Sequence, residues 1–168
     1  MPLTTYKTSG TKQLERAISE LGKQSGFKVI TGALRDAAKP IVSEARSLAP
    51  KKSGALRKGI KTQVFRGSGK SDSVATLHIG FNRRTAWYGQ ILERGAKKHK
   101  ITSSNKRAGK PLKIGDGYAY EVNHPGTRSI PMLKSSFNSK YKESLKILTT
   151  RLRQRVILEA IKKYGKGA

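Results

Sequence analysis

Apolar residues recur at spacings of three and four in three stretches of the chain, which is the signature of amphipathic helices. The first is short: Leu14, Ala17, Ile18 and Leu21 follow Thr11, a residue suited to a helix N-cap, and Gly22 ends the pattern. The second carries Val29, Ile30, Ala33, Leu34, Ala37, Ala38, Ile41, Val42, Ala45 and Leu48, and Ala49-Pro50 stops it. Pro40 lies inside this pattern, so a kink or a junction of two helices is expected there. The third is the longest. Leu133, Phe137, Tyr141, Leu145, Leu148, Leu152, Val156 and Ala160 repeat as far as Tyr164, and Ile147, Ile157 and Leu158 widen the apolar face. At 1.5 Å per residue, roughly 30 residues make a rod of about 45 Å.

Between the helical patterns the periodicity changes. Ile60–Phe65 and Val74–Phe81 read as paired strands across a polar loop at 67–73, and Tyr118–Val122 reads as a further strand. Trp87, Tyr88, Ile91 and Leu92 fit one face of a short helix closed by Gly95. The stretch 96–117 is rich in Gly, Ser, Asn and Pro and is expected to be a basic loop. The fold class is therefore α+β: a small antiparallel sheet packed with an N-terminal Ala-rich helix and a long C-terminal amphipathic helix. No internal repeat or linker divides the chain, so 1–168 reads as a single domain. Residues 1–10 form a polar N-terminal arm, and the long helix takes 131–164.

Charge alters this picture most. Thirty-six Lys and Arg oppose ten Asp and Glu, a formal net charge of +26. A chain so charged repels itself unless a polyanion or acidic neighbour is close. The apolar fraction is only 35%, so a modest core completed by other subunits fits better than a self-sufficient sphere. The densest basic stretch holds Arg94, Lys97, Lys98, Lys100, Lys106, Arg107, Lys110 and Lys113, with no acid between Glu93 and Asp116. It contains no aromatic residue. Contact with phosphates or an acidic partner there would be electrostatic and salt-sensitive, without base stacking. On the long helix, Tyr141, Leu145, Leu148, Leu152 and Val156 form a seam suited to oligomer packing.

Catalysis finds little footing. With no cysteine there is no disulfide, thiol nucleophile or thiolate metal site. His78, His99 and His124 are far apart and have no carboxylate at ligand spacing, so neither a metal nor a cofactor is expected. Gly67-Ser-Gly-Lys-Ser departs from the spacing of a phosphate loop and lies between strands, where a turn is the simpler reading. Glu93 and Glu121 have no partner suggested by spacing; Glu93, beside Arg94 and near Lys97, suits an ion pair between subunits. The chain is read as a non-enzyme. The opening residues lack the apolar run of a secretory signal, and no run of about 18 apolar residues spans a membrane, so an intracellular origin is expected.

Three segments share an order with a known family. Glu44–Ile60 (EARSLAPKKSGALRKGI) is a helix ending in Ala-Pro followed by Ser-Gly-x-Leu-Arg. Ala86–His99 (AWYGQILERGAKKH) places aromatics ahead of Leu-Glu-x-Gly. His124–Phe137 (HPGTRSIPMLKSSF) leads into the last helix. Together they resemble the neck, or tail-completion, proteins that join head to tail in long-tailed lambda-like bacteriophages. The resemblance implies a structural virion protein, made in the host cytoplasm, forming a homo-oligomeric ring around the DNA path. It implies connector and tail proteins as partners, with packaged double-stranded DNA nearby and no membrane. The basic stretch between His99 and Tyr118 is longer than this pattern, and Ile130-Pro131-Met132 lacks an aromatic after its proline. The alternative from charge alone is a stand-alone, sequence-independent nucleic-acid-binding protein, which the three segments do not account for.

Overall fold

The computed structural model describes residues 11–21, 23–51, 54–66, 75–103 and 110–164. The expected N-terminal arm, the loop at 67–73, Gly22, Lys106 and Arg107 lie outside the described residues. The architecture is α+β. Helix α1 (Thr11–Glu20) leads into α2 (Lys23–Leu48), which runs through Pro40 as one helix, so two helices do not meet there. The proline removes one N–H from the helical ladder and leaves the Asp36 carbonyl without its usual donor.

The end of α2 is secured by arginines. Ala49 N–H still reaches the Ala45 carbonyl (3.1 Å), after which Pro50 prevents another turn. Arg57, on the short helix α3 (Ala55–Gly59), donates from Nε to the Ala49 carbonyl (3.1 Å) and from Nη2 to the Ser47 carbonyl (3.2 Å). A cation there also opposes the negative end of the helix dipole. Arg46 Nη2 reaches the Ile60 carbonyl (2.9 Å), tying the same helix end to the first strand. Gly54 turns the chain into α3 at φ 68°, the left-handed region that suits glycine.

Strand β1 (Ile60–Arg66) pairs antiparallel with β2 (Ala75–Phe81), from Ile60 opposite Phe81 to Arg66 opposite Ala75. The Arg66 guanidinium lies over the Phe27 ring (4.3 Å), tying the far end of this hairpin to α2. Helix α4 (Gly89–Arg94) follows and ends at Gly95. The stretch expected to be a loop at 96–117 instead contributes strands. β3 (His99–Thr102) pairs with β6 (Glu121–His124), and β4 (Leu112–Ile114) pairs with β5 (Gly117–Ala119). The strand expected at Tyr118–Val122 is broken at Tyr120, so three two-stranded antiparallel ladders stand where one small sheet was expected. Helix α5 (Met132–Tyr164) completes the chain and packs along α2.

The core sits where these elements meet. Ala45 and Ala49 of α2, Leu56 of α3, Ile60 of β1, Ala86 and Met132 form one buried cluster. Val42, Ile79, Phe81, Tyr88, Leu92 and Leu133 pack against it. Small residues allow this convergence: a Cβ at Gly59 would stand 2.3 Å from the Ala86 Cβ, and one at Gly89 would stand 2.4 Å from the Phe81 ring.

Gly59→Ala should accordingly destabilise the chain by about 1–3 kcal/mol through overpacking against a fully buried neighbour, read by urea unfolding. Asp36 tests the α2–α5 joint. Its carboxylate accepts from Arg155 Nη2 (2.8 Å) and Lys39 Nζ (2.6 Å), and these two cations, Arg155 foremost, hold its pKa below the usual carboxylate value. A depressed folded pKa stabilises the fold above the unfolded pKa, and the effect disappears as pH falls through the folded one. Asp36→Asn should therefore cost about 1 kcal/mol at pH 7, a modest figure because Arg155 is partly solvated. The difference from the native chain should shrink as pH falls below the unfolded carboxylate pKa and through the lower folded one.

Candidate assembly surfaces

The basic stretch becomes an arm. β3 and β6 form its base and β4 and β5 its end, with the Ser103 N–H donating to the Tyr120 carbonyl (2.9 Å) between them. Ser103 Oγ also donates to the Lys110 carbonyl (2.6 Å), fastening the start of β4 to the end of β3. Every residue of β3 is exposed, as are Ile114, Tyr118 and Tyr120 further along. A two-stranded ribbon open on both faces is marginal in water by itself and gains from being covered.

The structure distributes the predicted cations unevenly over this arm. Arg94 ends α4, while Lys97 and Lys98 lie in the connection to β3, all exposed. Lys100 is on β3 and is ion-paired across the ladder with Glu121 (2.6 Å). Lys110 and Lys113 belong to the β4 side, and both are exposed. The six that the structure describes are thus spread over α4, the connection, β3 and the β4 side. The rings of His99 and His124, opposite each other in the β3–β6 register, lie 5.1 Å apart. His99 Nδ1 bonds the Lys97 carbonyl (2.7 Å), and His124 Nδ1 accepts from the Gly126 N–H (3.1 Å). Both rings thus serve the arm's base. No group of three or more metal-ligating side chains occurs among the described residues.

Sequence spacing missed the role of Glu93. Its carboxylate reaches across to the start of α5 and accepts from the backbone N–H groups of Leu133 (2.9 Å) and Lys134 (2.9 Å). These are first-turn N–H groups that no helical carbonyl can satisfy, and a negative charge suits the positive end of the helix dipole. Glu93 is therefore a cap within the chain, in place of the expected ion pair between subunits. The neighbouring backbone fixes the approach. Ile130 N–H donates to the Leu92 carbonyl (2.6 Å), and Ala96 and Thr127 exchange both N–H···O bonds (2.9 and 2.8 Å). Gly95 (φ 73°) and Gly126 (φ 98°) stand at this crossing, where a Cβ would meet a carbonyl oxygen at 2.7 and 2.6 Å respectively. The only sequence hint was a lone Leu-Glu-x-Gly, with its partner some forty residues away.

The α5 residues expected to pack between copies lie beside the contact with α2. The residues α5 buries outright are Met132, Ser136 and Ser144. Tyr141, Leu148, Leu152 and Val156 are half-buried, and Leu145 is 41% exposed. Tyr141, Leu145 and Leu148, with Leu133 and Phe137, line one wall of an open apolar groove of about 630 Å³. Leu34, Ala37, Ala38 and Ile41 of α2 form its floor, and Leu77 and Ile79 of β2 its other wall. The Ser144 hydroxyl, buried in this lining, has no hydrogen-bond partner. Among the described residues only six large apolar side chains are buried (Leu21, Val29, Ile41, Leu56, Ile60, Met132), while fifteen are exposed. That inverts the usual distribution and marks surfaces built to be covered.

Similarity to known proteins agrees with this surface-rich, site-poor molecule. The HK97-gp10-like family, whose description reads "Bacteriophage HK97-gp10, putative tail-component", matches residues 12–95, half of the 168-residue chain. The chain belongs to this family of bacteriophage tail components. The matched segment takes in Glu44–Ile60 and runs to Gly95, including the Glu93 cap. No curated protein matches the chain, and no solved structure does. No helix among the described residues is long and apolar enough to cross a membrane.

The cap gives a direct test. Glu93→Ala should cost about 1–2 kcal/mol, the range for losing a helix N-cap, seen as a lowered urea midpoint. Glu93→Gln, which keeps an acceptor oxygen, should recover part of the loss. An unchanged midpoint in the alanine variant would show that the carboxylate does not hold α5.

Proposed function

We propose that this chain is a non-catalytic structural protein of the phage head–tail junction. It assembles with copies of itself into a ring around the DNA path and joins the tail to the DNA-filled head. The observation that carries the reading is family membership in a subunit whose apolar core is left open as a groove. A tail component must be held by neighbours, and the uncovered residues are of the kind that neighbours cover: Phe137, Leu145, Leu77 and Ile79 along the groove, and Tyr118 on the arm. The net charge of +26 supports a position near packaged DNA or acidic connector and tail proteins. The three segments of the neck-protein resemblance supply the rest.

Phage grown without this chain should yield full heads and finished tails lying separate in electron micrographs; joined, infectious particles would overturn the proposal. Within the same reading, Leu145→Asp should leave the isolated subunit within about 1 kcal/mol of native stability, because the side chain is partly exposed. Its higher-order species should disappear from native mass spectra.

A further inference from the structure

The helix pair α2–α5 has two unlike flanks. One carries the apolar groove. The other carries a separate cleft of about 410 Å³ that shares no lining residue with it and is bounded by Lys39, Lys146, Thr150, Arg151 and Gln154, with Pro40, Ile147 and Asp36. We propose that this second flank is a seat for the phosphate backbone of double-stranded DNA. It, and not the β3–β6 arm, is then the chain's principal polyanion-binding face.

The charge balance at the cleft favours an anion. The one carboxylate among its described lining residues, Asp36, has both oxygens engaged, Oδ2 by Arg155 (2.8 Å) and Oδ1 by Lys39 (2.6 Å). Arg151 Nη1 donates to Gln154 Oε1 (3.0 Å), which holds the guanidinium at the rim and leaves its other donors for a ligand. Lys146 has no carboxylate within ion-pair distance among the described residues, whereas Lys100 on the arm is neutralised by Glu121. With Arg155 included, four cations face one carboxylate.

The arrangement also fits phosphate better than a protein surface. A protein interface buries an apolar centre inside a polar rim; here, among the described residues, the apolar lining is only Ile147 and Pro40, and the remainder is charged or polar. Among the described residues no aromatic ring lines the cleft, so bases have nothing to stack on and only the backbone is read. Lys39 comes from α2 and Lys146 and Arg151 from α5, so packed helices fix their spacing. On the arm, Lys100 and Lys113 stand instead on two-stranded ladders, and Lys97 and Lys98 on the connection before them.

This inference rests on the junction reading but is tested apart from it. The full chain is titrated with a 30-base-pair duplex of mixed sequence across a series of salt concentrations. Lys146→Gln with Arg151→Gln should weaken binding at least tenfold at low salt. It should also flatten the log–log salt slope by about two, one for each phosphate left without its cation. Lys98→Gln with Lys113→Gln, the same charge removed from the arm, should change affinity less than threefold. Unfolding midpoints check that both doubles fold; if the first does not, Gln154→Glu places a negative charge at the rim without deleting a cation and should weaken binding as well. A weakening in the arm variant as large as in the flank variant would overturn the proposal, as would a flank variant that binds normally. Displacement of the duplex by polyglutamate at equal charge concentration would overturn it too, and would name an acidic protein as the occupant. Separate heads and tails in phage lacking the chain report on the junction alone, so the two ideas fail independently.

Discussion

The start of α5 is the constraint on which the rest of the structure depends. Met132 is buried among residues of α2, α3 and β1, and the next two backbone N–H groups are held by both oxygens of Glu93. A 33-residue helix anchored only along its side can slide or rotate. Anchored at its first turn, it has one register against α2. Through the Ala96–Thr127 pair, the same crossing fixes where the β3–β6 arm leaves the body.

From that anchor the two flanks follow by geometry. The buried side of α5 includes Ser136 and Ser144, and that of α2 includes Ala33 and Ala37. Small residues let the helix axes come close, and the Arg155 guanidinium crosses Gly32, where a Cβ would stand only 2.6 Å from it. Close approach pushes the large side chains off the line between the helices. Phe137, Tyr141 and Leu145 consequently stand beside the seam and open a groove towards β2, where larger seam residues would have closed a core. The same displacement leaves Lys146 and Arg151 on the opposite flank. Apolar and cationic surfaces are thus separated by the helix pair itself.

This also explains what the sequence disclosed and what it hid. The three helical stretches and strand β2 were legible because each buries one face, and a half-buried element must show its period. The strand at 99–102 was hidden for the opposite reason: with β3 exposed on both faces, His-Lys-Ile-Thr has no alternation to show. On α5 the apolar spacing shows only the large side chains. Apolar spacing favours Leu145, whereas the position nearer α2 belongs to Ser144, small and polar. Glu93 was unreadable because a cap some forty residues from its helix leaves no local pattern. The candidate cations showed a similar limit. A linear run marked 94–113, while the cleft at Lys39, Lys146 and Arg151 is assembled from two helices about a hundred residues apart in sequence.

The placement of the acids gives the charge its structural meaning. Glu93 caps a helix, Asp36 joins α2 to α5, Glu121 braces the arm, and Glu143 and Glu159 pair one turn away along α5. Five of the ten carboxylates are therefore tied to internal positions, and thirty-six cations far exceed what the remainder can neutralise. Bringing copies together through an apolar groove raises the local positive potential, and salt at physiological strength screens it only beyond about 8 Å. In the proposed ring, burial of the groove and neutralisation of the cations would therefore be coupled. Any assembly of this chain gains stability from a polyanion at its charged flank, and a polyanion held there lowers the repulsion that opposes the next subunit.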